Sequence, residues 1–210
     1  CSASAGWRRC LDRPATWAPV LERGLEFGGL SHEELGAFAA FLRRNCAKSL
    51  KAAFRPGHRV SGASVASLLA ACPDALRSLD LGLPGRGLGD GGVERLAASL
   101  PAGLERLSLD LRRGGVGPGG ALALSSALPE ALEELSLDLS DCEVPDFALA
   151  ALAEHLPRGL AALSLRLSGC HEGIAAVVRR LPPTAERLCL ALGASPQQRG
   201  DGGDAALRLI

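Results

Sequence analysis

Apolar residues recur along this chain in two rhythms that take turns. In the first, Leu76, Leu104, Leu132 and Leu160 stand 28 residues apart, and each opens the pattern L-x-x-L-x-L-x-L. The copies read LRSLDLGL (76–83), LERLSLDL (104–111), LEELSLDL (132–139) and LAALSLRL (160–167). AERLCLAL (185–192) is a fifth copy and AKSLKAAF (47–54) a degenerate earlier one. Of the 18 closing apolar slots in these six copies, 16 are Leu. Leucine frequency alone would fill only a few, so the pattern is an internal repeat. Period-two alternation predicts a strand with one face turned inward.

The second rhythm follows each strand. Val65, Leu68 and Cys72 stand at i, i+3 and i+7, as do Val93, Leu96 and Leu100. Ala121, Leu124 and Leu128 repeat it, then Leu149, Leu152 and Leu156, then Ile174, Val177 and Leu181. This is the apolar stripe of a short helix. Proline follows each stripe, at Pro73, Pro101, Pro129, Pro157 and Pro182, and ends the helix by removing a donor and restricting the residue before it. Glycine runs such as Gly114-Gly115-Val116-Gly117 permit the turn from strand to helix.

One strand and one helix cannot bury their own apolar faces, but stacked copies can. A helical crossover joins successive strands, so they pair in parallel, about 4.8 Å apart. Helices are wider than that spacing. The stack therefore bends with the sheet on its concave side and short helices on its convex side. The fold class expected is a curved α/β solenoid of about six repeats over residues 47–192.

These residues resemble the leucine-rich repeat family, and within it the ribonuclease-inhibitor-like class. The segment Leu88-Gly89-Asp90-Gly91-Gly92-Val93-Glu94-Arg95-Leu96-Ala97-Ala98-Ser99-Leu100 is similar to that class's L-x-D-x-G-x-x-x-L-A-x-x-L helical half. The 28-residue period fits as well. The pattern departs from the class in a third alternating Leu (Leu83, Leu111, Leu139, Leu167) and a longer connection after it. Cys142 and Cys170 stand two residues beyond the usual strand-exit slot. The resemblance implies a non-enzymatic protein–protein interaction scaffold. It also leaves open a substrate-recognition part of an F-box-like ubiquitin ligase, a GTPase-activator-like repeat protein, or a structural spacer in a longer chain.

Both ends leave the pattern. Ser31-His32-Glu33-Glu34 has the form of a capping box, with Leu30 and Leu35 as a hydrophobic staple, and a helix is expected through about Arg44. Residues 1–46 are thus read as a helical N-terminal cap, with Trp7 and Trp17 in its packing. At the other end, Gly200 to Leu207 tracks Gly89 to Leu96, so residues 193–210 are read as an incomplete final repeat or a C-terminal cap. The chain begins at Cys1 and has no Met, so a piece of a longer protein is expected, and an upstream targeting segment is left open.

Composition changes this picture little. Lys+Arg and Asp+Glu are both 23, which provides no electrostatic footprint for nucleic acid or an anionic membrane. No apolar run reaches the length of a membrane span. Arginine outnumbers lysine, yet Leu, Ala, Gly and Pro rise with it. A GC-rich coding bias explains all five together, so the arginines are not read as phosphate ligands. The seven cysteines are odd in number and form no C-x-x-C pair. Reduced thiols in a cytoplasmic, intracellular setting are expected, and whether Cys142 and Cys170 pair stays open.

Catalytic chemistry is not visible. His32, His58, His155 and His171 lack partners at metal-ligand spacing, and Cys170-His171-Glu172 cannot converge on one ion without further loops. No P-loop exists, because Lys48 and Lys51 are the only lysines. No enzyme, cofactor or metal is expected, and the chain is expected to be a monomer.

The candidate site is the outward face of the strands: Arg106, Ser108, Asp110, Glu134, Ser136, Asp138, Arg166 and Arg187. Small residues (Asp80, Ser108, Ser136, Ser164, Cys189) form its centre, and Asp110, Glu134 and Asp138 cluster between arginines. Two readings stand. Either a partner segment with a basic centre binds the acids, or the face satisfies itself, with Arg106 paired to Glu134 across strands.

Overall fold

The computed structural model describes residues 25–27, 47–54, 61–70, 72–85, 87–168, 171–193 and 205–209. Its strands are β1 (Leu25–Phe27), β2 (Ser49–Phe54), β3 (Ser78–Gly82), β4 (Arg106–Asp110), β5 (Glu134–Asp138), β6 (Ala162–Ser168), β7 (Arg187–Gly193) and β8 (Ala205–Leu209). Between them lie α1 (Gly62–Ala70), α2 (Gly89–Ala98), α3 (Pro118–Ala127), α4 (Asp146–Glu154) and α5 (His171–Arg180). The strands form one sheet in sequence order, parallel from β1 to β7, with β8 antiparallel on β7. This is a curved α/β solenoid, helices on one side of the sheet and the open concave face on the other.

The repeat register is the strand register. Leu79, Leu107, Leu135, Leu163 and Leu188 are consecutive neighbours across the sheet, and so are Leu81, Leu109, Leu137, Leu165 and Leu190. All ten are buried, as are the opening leucines Leu76, Leu104, Leu132 and Leu160. The third slot belongs to the same layer. Leu83, Leu111 and Leu139 are buried, and their N–H groups donate to Asp110, Asp138 and Arg166 carbonyls on the next coil. The coil-to-coil ladder thus runs past the strands themselves.

Proline does more than stop the helices. The N–H of Leu76, Leu104, Leu132, Leu160 and Ala185 donates to the carbonyl of Pro73, Pro101, Pro129, Pro157 and Pro182 in turn. Each of the four Pro-x-x-Leu segments is an i to i+3 turn that aims the first leucine into the core, and Pro182 to Ala185 repeats the turn without the leucine. The helix stripes are buried where expected, at Val65, Leu68, Val93, Leu96, Leu124, Leu149, Leu152 and Val177.

Small residues let the helices close on each other. A Cβ on Gly62 would overlap the Gly92 Cα. One on Gly120 would lie 3.2 Å from the Val93 Cβ and 2.9 Å from Asp90 Oδ1. Asp90 accepts bonds from the N–H of Gly117 (2.6 Å) and Gly119 (3.1 Å), so it caps α3 from the preceding coil. Asp146 does the same for α5 through the Gly173 N–H at 2.8 Å.

Both ends add a strand to the sheet. Residues 25–27, expected within a helical cap, form a strand parallel to β2. Ala205–Leu209, within the segment read as an incomplete final repeat or a C-terminal cap, pair antiparallel to β7 and cover its edge. The helix expected over 31–44, both tryptophans and Cys170 lie outside the described residues.

Candidate functional site

Alternation on β3 to β7 turns three rows of side chains outward. The first row is Ser78, Arg106, Glu134, Ala162 and Arg187; the second is Asp80, Ser108, Ser136, Ser164 and Cys189. The third holds Gly82, Asp110, Asp138, Arg166 and Ala191. All eight predicted site residues therefore share the concave face.

The third row is committed to its own turns. Asp110 Oδ1 accepts the backbone N–H of Arg112 at 3.2 Å, and Asp138 Oδ1 accepts that of Ser140 at 3.0 Å. A carboxylate bonded to the backbone two residues on is an Asx turn, and each leads into a left-handed residue, Arg113 (φ 56°) or Asp141 (φ 58°). Arg112 folds back and holds Asp110 with two bonds, Nε–Oδ1 at 2.9 Å and Nη2–Oδ2 at 2.7 Å. Its Nε also lies 3.6 Å from Asp138 Oδ2, and Arg166 Nε lies 3.5 Å from the same oxygen. The bonds to Asp110, then its charge, raise the Arg112 guanidinium above its ordinary pKa. Sequence reasoning missed Arg112. The signal was available as Asp followed by a donor two residues later at the strand exit.

The first row also differs from expectation. Arg106 and Glu134 are strand neighbours, yet no ion pair joins them. Glu134 Oε1 instead accepts Arg187 Nη2 at 2.8 Å, two strands away. The residue between them is Ala162, whose methyl group leaves the long arginine a clear path. Arg106 is exposed and has no ion-pair partner among the described residues.

The first two rows line a trough of about 600 Å³ running across β3 to β7. The hydroxyls of Ser108, Ser136 and Ser164 on its floor have no hydrogen-bond partner among the described residues. Cys189, at the end of that row, is a partly exposed free thiol. A second hollow, of about 780 Å³, lies at the strand-to-helix turns. Its charged lining is largely engaged within itself, Arg113 Nε bonding Asp141 Oδ2 at 3.1 Å.

Cys142 is a free, buried thiol that donates to the Leu111 carbonyl at 3.3 Å. Burial pushes it up, against backbone bonds from Val116 and Gly114 that act the other way. Among the described residues no group of His, Cys, Asp and Glu is placed to hold a metal ion, and no helix is long and apolar enough to cross a membrane.

No family model matches the chain, and no curated protein matches it. Among solved structures, the leucine-rich repeat-containing protein LegL7 from Legionella pneumophila is similar at 14% identity and a TM-score of 0.36. That likeness covers 80% of this chain and 73% of that one. The fold assignment rests on the strand order and register described above.

Proposed function

We propose that this chain is a non-enzymatic protein-binding module that receives its partner on the concave sheet. The observation that carries this reading is the trough across β3 to β7. Its floor is a row of small side chains whose hydroxyls lack partners among the described residues. A segment laid there gains hydrogen bonds without displacing existing ones, since the bulky charged groups stand to either side. The repeat resemblance agrees with this use, and within that resemblance the ribonuclease-inhibitor-like class fits the helical half best. The free thiols Cys142 and Cys189 fit a reducing cytoplasmic setting, and the chain acts as a monomer.

The test is affinity capture from native lysate with crosslinking and mass spectrometry, using the wild-type chain and Ser136→Tyr. The variant fills the trough from a solvent-facing position, so its thermal midpoint should match the wild type. A partner captured by the wild type and lost by Ser136→Tyr supports the concave site. Equal capture by both rejects it.

A further inference from the structure

We infer that the occupant of the trough is an extended, acidic protein segment, with one carboxylate set against Arg106; this rests on the concave-face reading above. The carboxylates that make the face look acidic in sequence are already engaged. Asp110 and Asp138 hold their own turns and the guanidiniums of Arg112 and Arg166. Asp80 has Lys51 Nζ at 3.0 Å. Among the described residues, the charged group of the trough lining without an ion-pair partner is a cation, Arg106. A basic segment would have to displace bound guanidiniums, and would meet Arg106 as a like charge.

Arg187 supplies a second contact. Its bond to Glu134 is made by Nη2 alone, and the guanidinium keeps further N–H donors for a second carboxylate. Arg106 lies on β4 and Arg187 on β7, three strand spacings or about 14 Å apart. An extended segment rises about 3.3 Å per residue, so acidic residues four apart reach both arginines. Ser136 and Ser164 lie between, free to bond its backbone. Glu133 and Glu186 precede Glu134 and Arg187 by one residue, out of phase with the outward row.

The probes are two fluorescein-labelled decapeptides of serine and glycine, one with Glu at two positions four apart and one with Lys there. Binding is read by anisotropy at low and at physiological salt. The Glu peptide should bind more tightly than the Lys peptide, and salt should shrink the difference. Arg106→Glu should weaken the Glu peptide about two- to fivefold, the range an exposed ion pair supports. Glu134→Gln, which releases Arg187, should strengthen it, and Ser136→Tyr should abolish it. Arg106→Gln is the milder variant should Arg106→Glu lower the thermal midpoint.

No binding of the Glu peptide, a preference for Lys, or indifference to both Arg106 variants overturns the inference. If a lysate partner is lost with Ser136→Tyr while the Glu peptide shows no preference, the concave site stands and its acidic partner does not. If the partner survives Ser136→Tyr, both fall.

Discussion

Leu109 and Leu137 are each about 1% exposed and occupy the same slot on adjacent strands. Truncating either to Ala leaves a cavity between a strand and the helix layer, at a cost of about 2–5 kcal/mol. A urea midpoint unchanged in both variants would contradict the register. Arg113 is a different case, because its backbone is left-handed and its side chain exposed. That conformation costs a β-carbon residue about 1–2 kcal/mol, and the equivalent residue one coil earlier is Gly85 (φ 109°). Arg113→Gly should therefore hold or raise stability, while Arg113→Val falls at least about 1 kcal/mol below it. Matched urea melts decide the order.

Cys142 sets a pH dependence at the same scale. Its thiol is pushed up in the folded chain by burial. A raised folded-state pKa contributes stability that is complete below the ordinary thiol range, about 8.5, and is lost as pH rises through the folded value. Urea midpoints taken from about pH 8 to pH 10 should fall more steeply for the wild type than for Cys142→Ala. Parallel slopes would remove Cys142 as the cause.

At the scale of elements, the helices are joined by contacts between coils. Asp90 caps the helix one repeat ahead of its own, so Asp90→Ala should destabilise α3 by about 0.5–2 kcal/mol. Hydrogen exchange should show the loss at Gly117 and Gly119; loss confined to α2 would contradict the cross-coil cap. Among the described residues, α5 is the last helix of the layer. Leu69, Ala97, Ser125 and Ala153 hold equivalent buried positions on α1 to α4, whereas Val178 on α5 is 43% exposed. Ala153→Asp should unfold the stack, because an unpaired charge is forced between helices. Val178→Asp should be nearly silent in a thermal melt.

Across the whole molecule, the sheet gains a strand beyond the repeats at each side, and the concave face carries its own ion pairs. β1 extends the parallel sheet and β8 closes its other side in the opposite sense. Asp110 and Asp138 belong to turns, so reversing their charge tests folding as much as binding. Among the described residues of the trough lining, Arg106 has no ion-pair partner, and the proposed partner takes the opposite sign to it.

The strand register, the helix stripes and the core leucines were legible in the sequence because they are periodic. A residue at a fixed step from its neighbours meets the same environment in every coil, and burial of apolar surface enforces that step. The outward face was legible for the same reason, as a set of positions. Its pairing was not. Arg187 reaches Glu134 because Ala162 between them is small, and Arg112 folds back because Asp110 has already turned the chain. Those are distances between residues of different coils or across a turn, and no period encodes them. The repeat alone determined which residues face inward and which face out; the folded arrangement decided which charges are already satisfied and which remain to meet a partner.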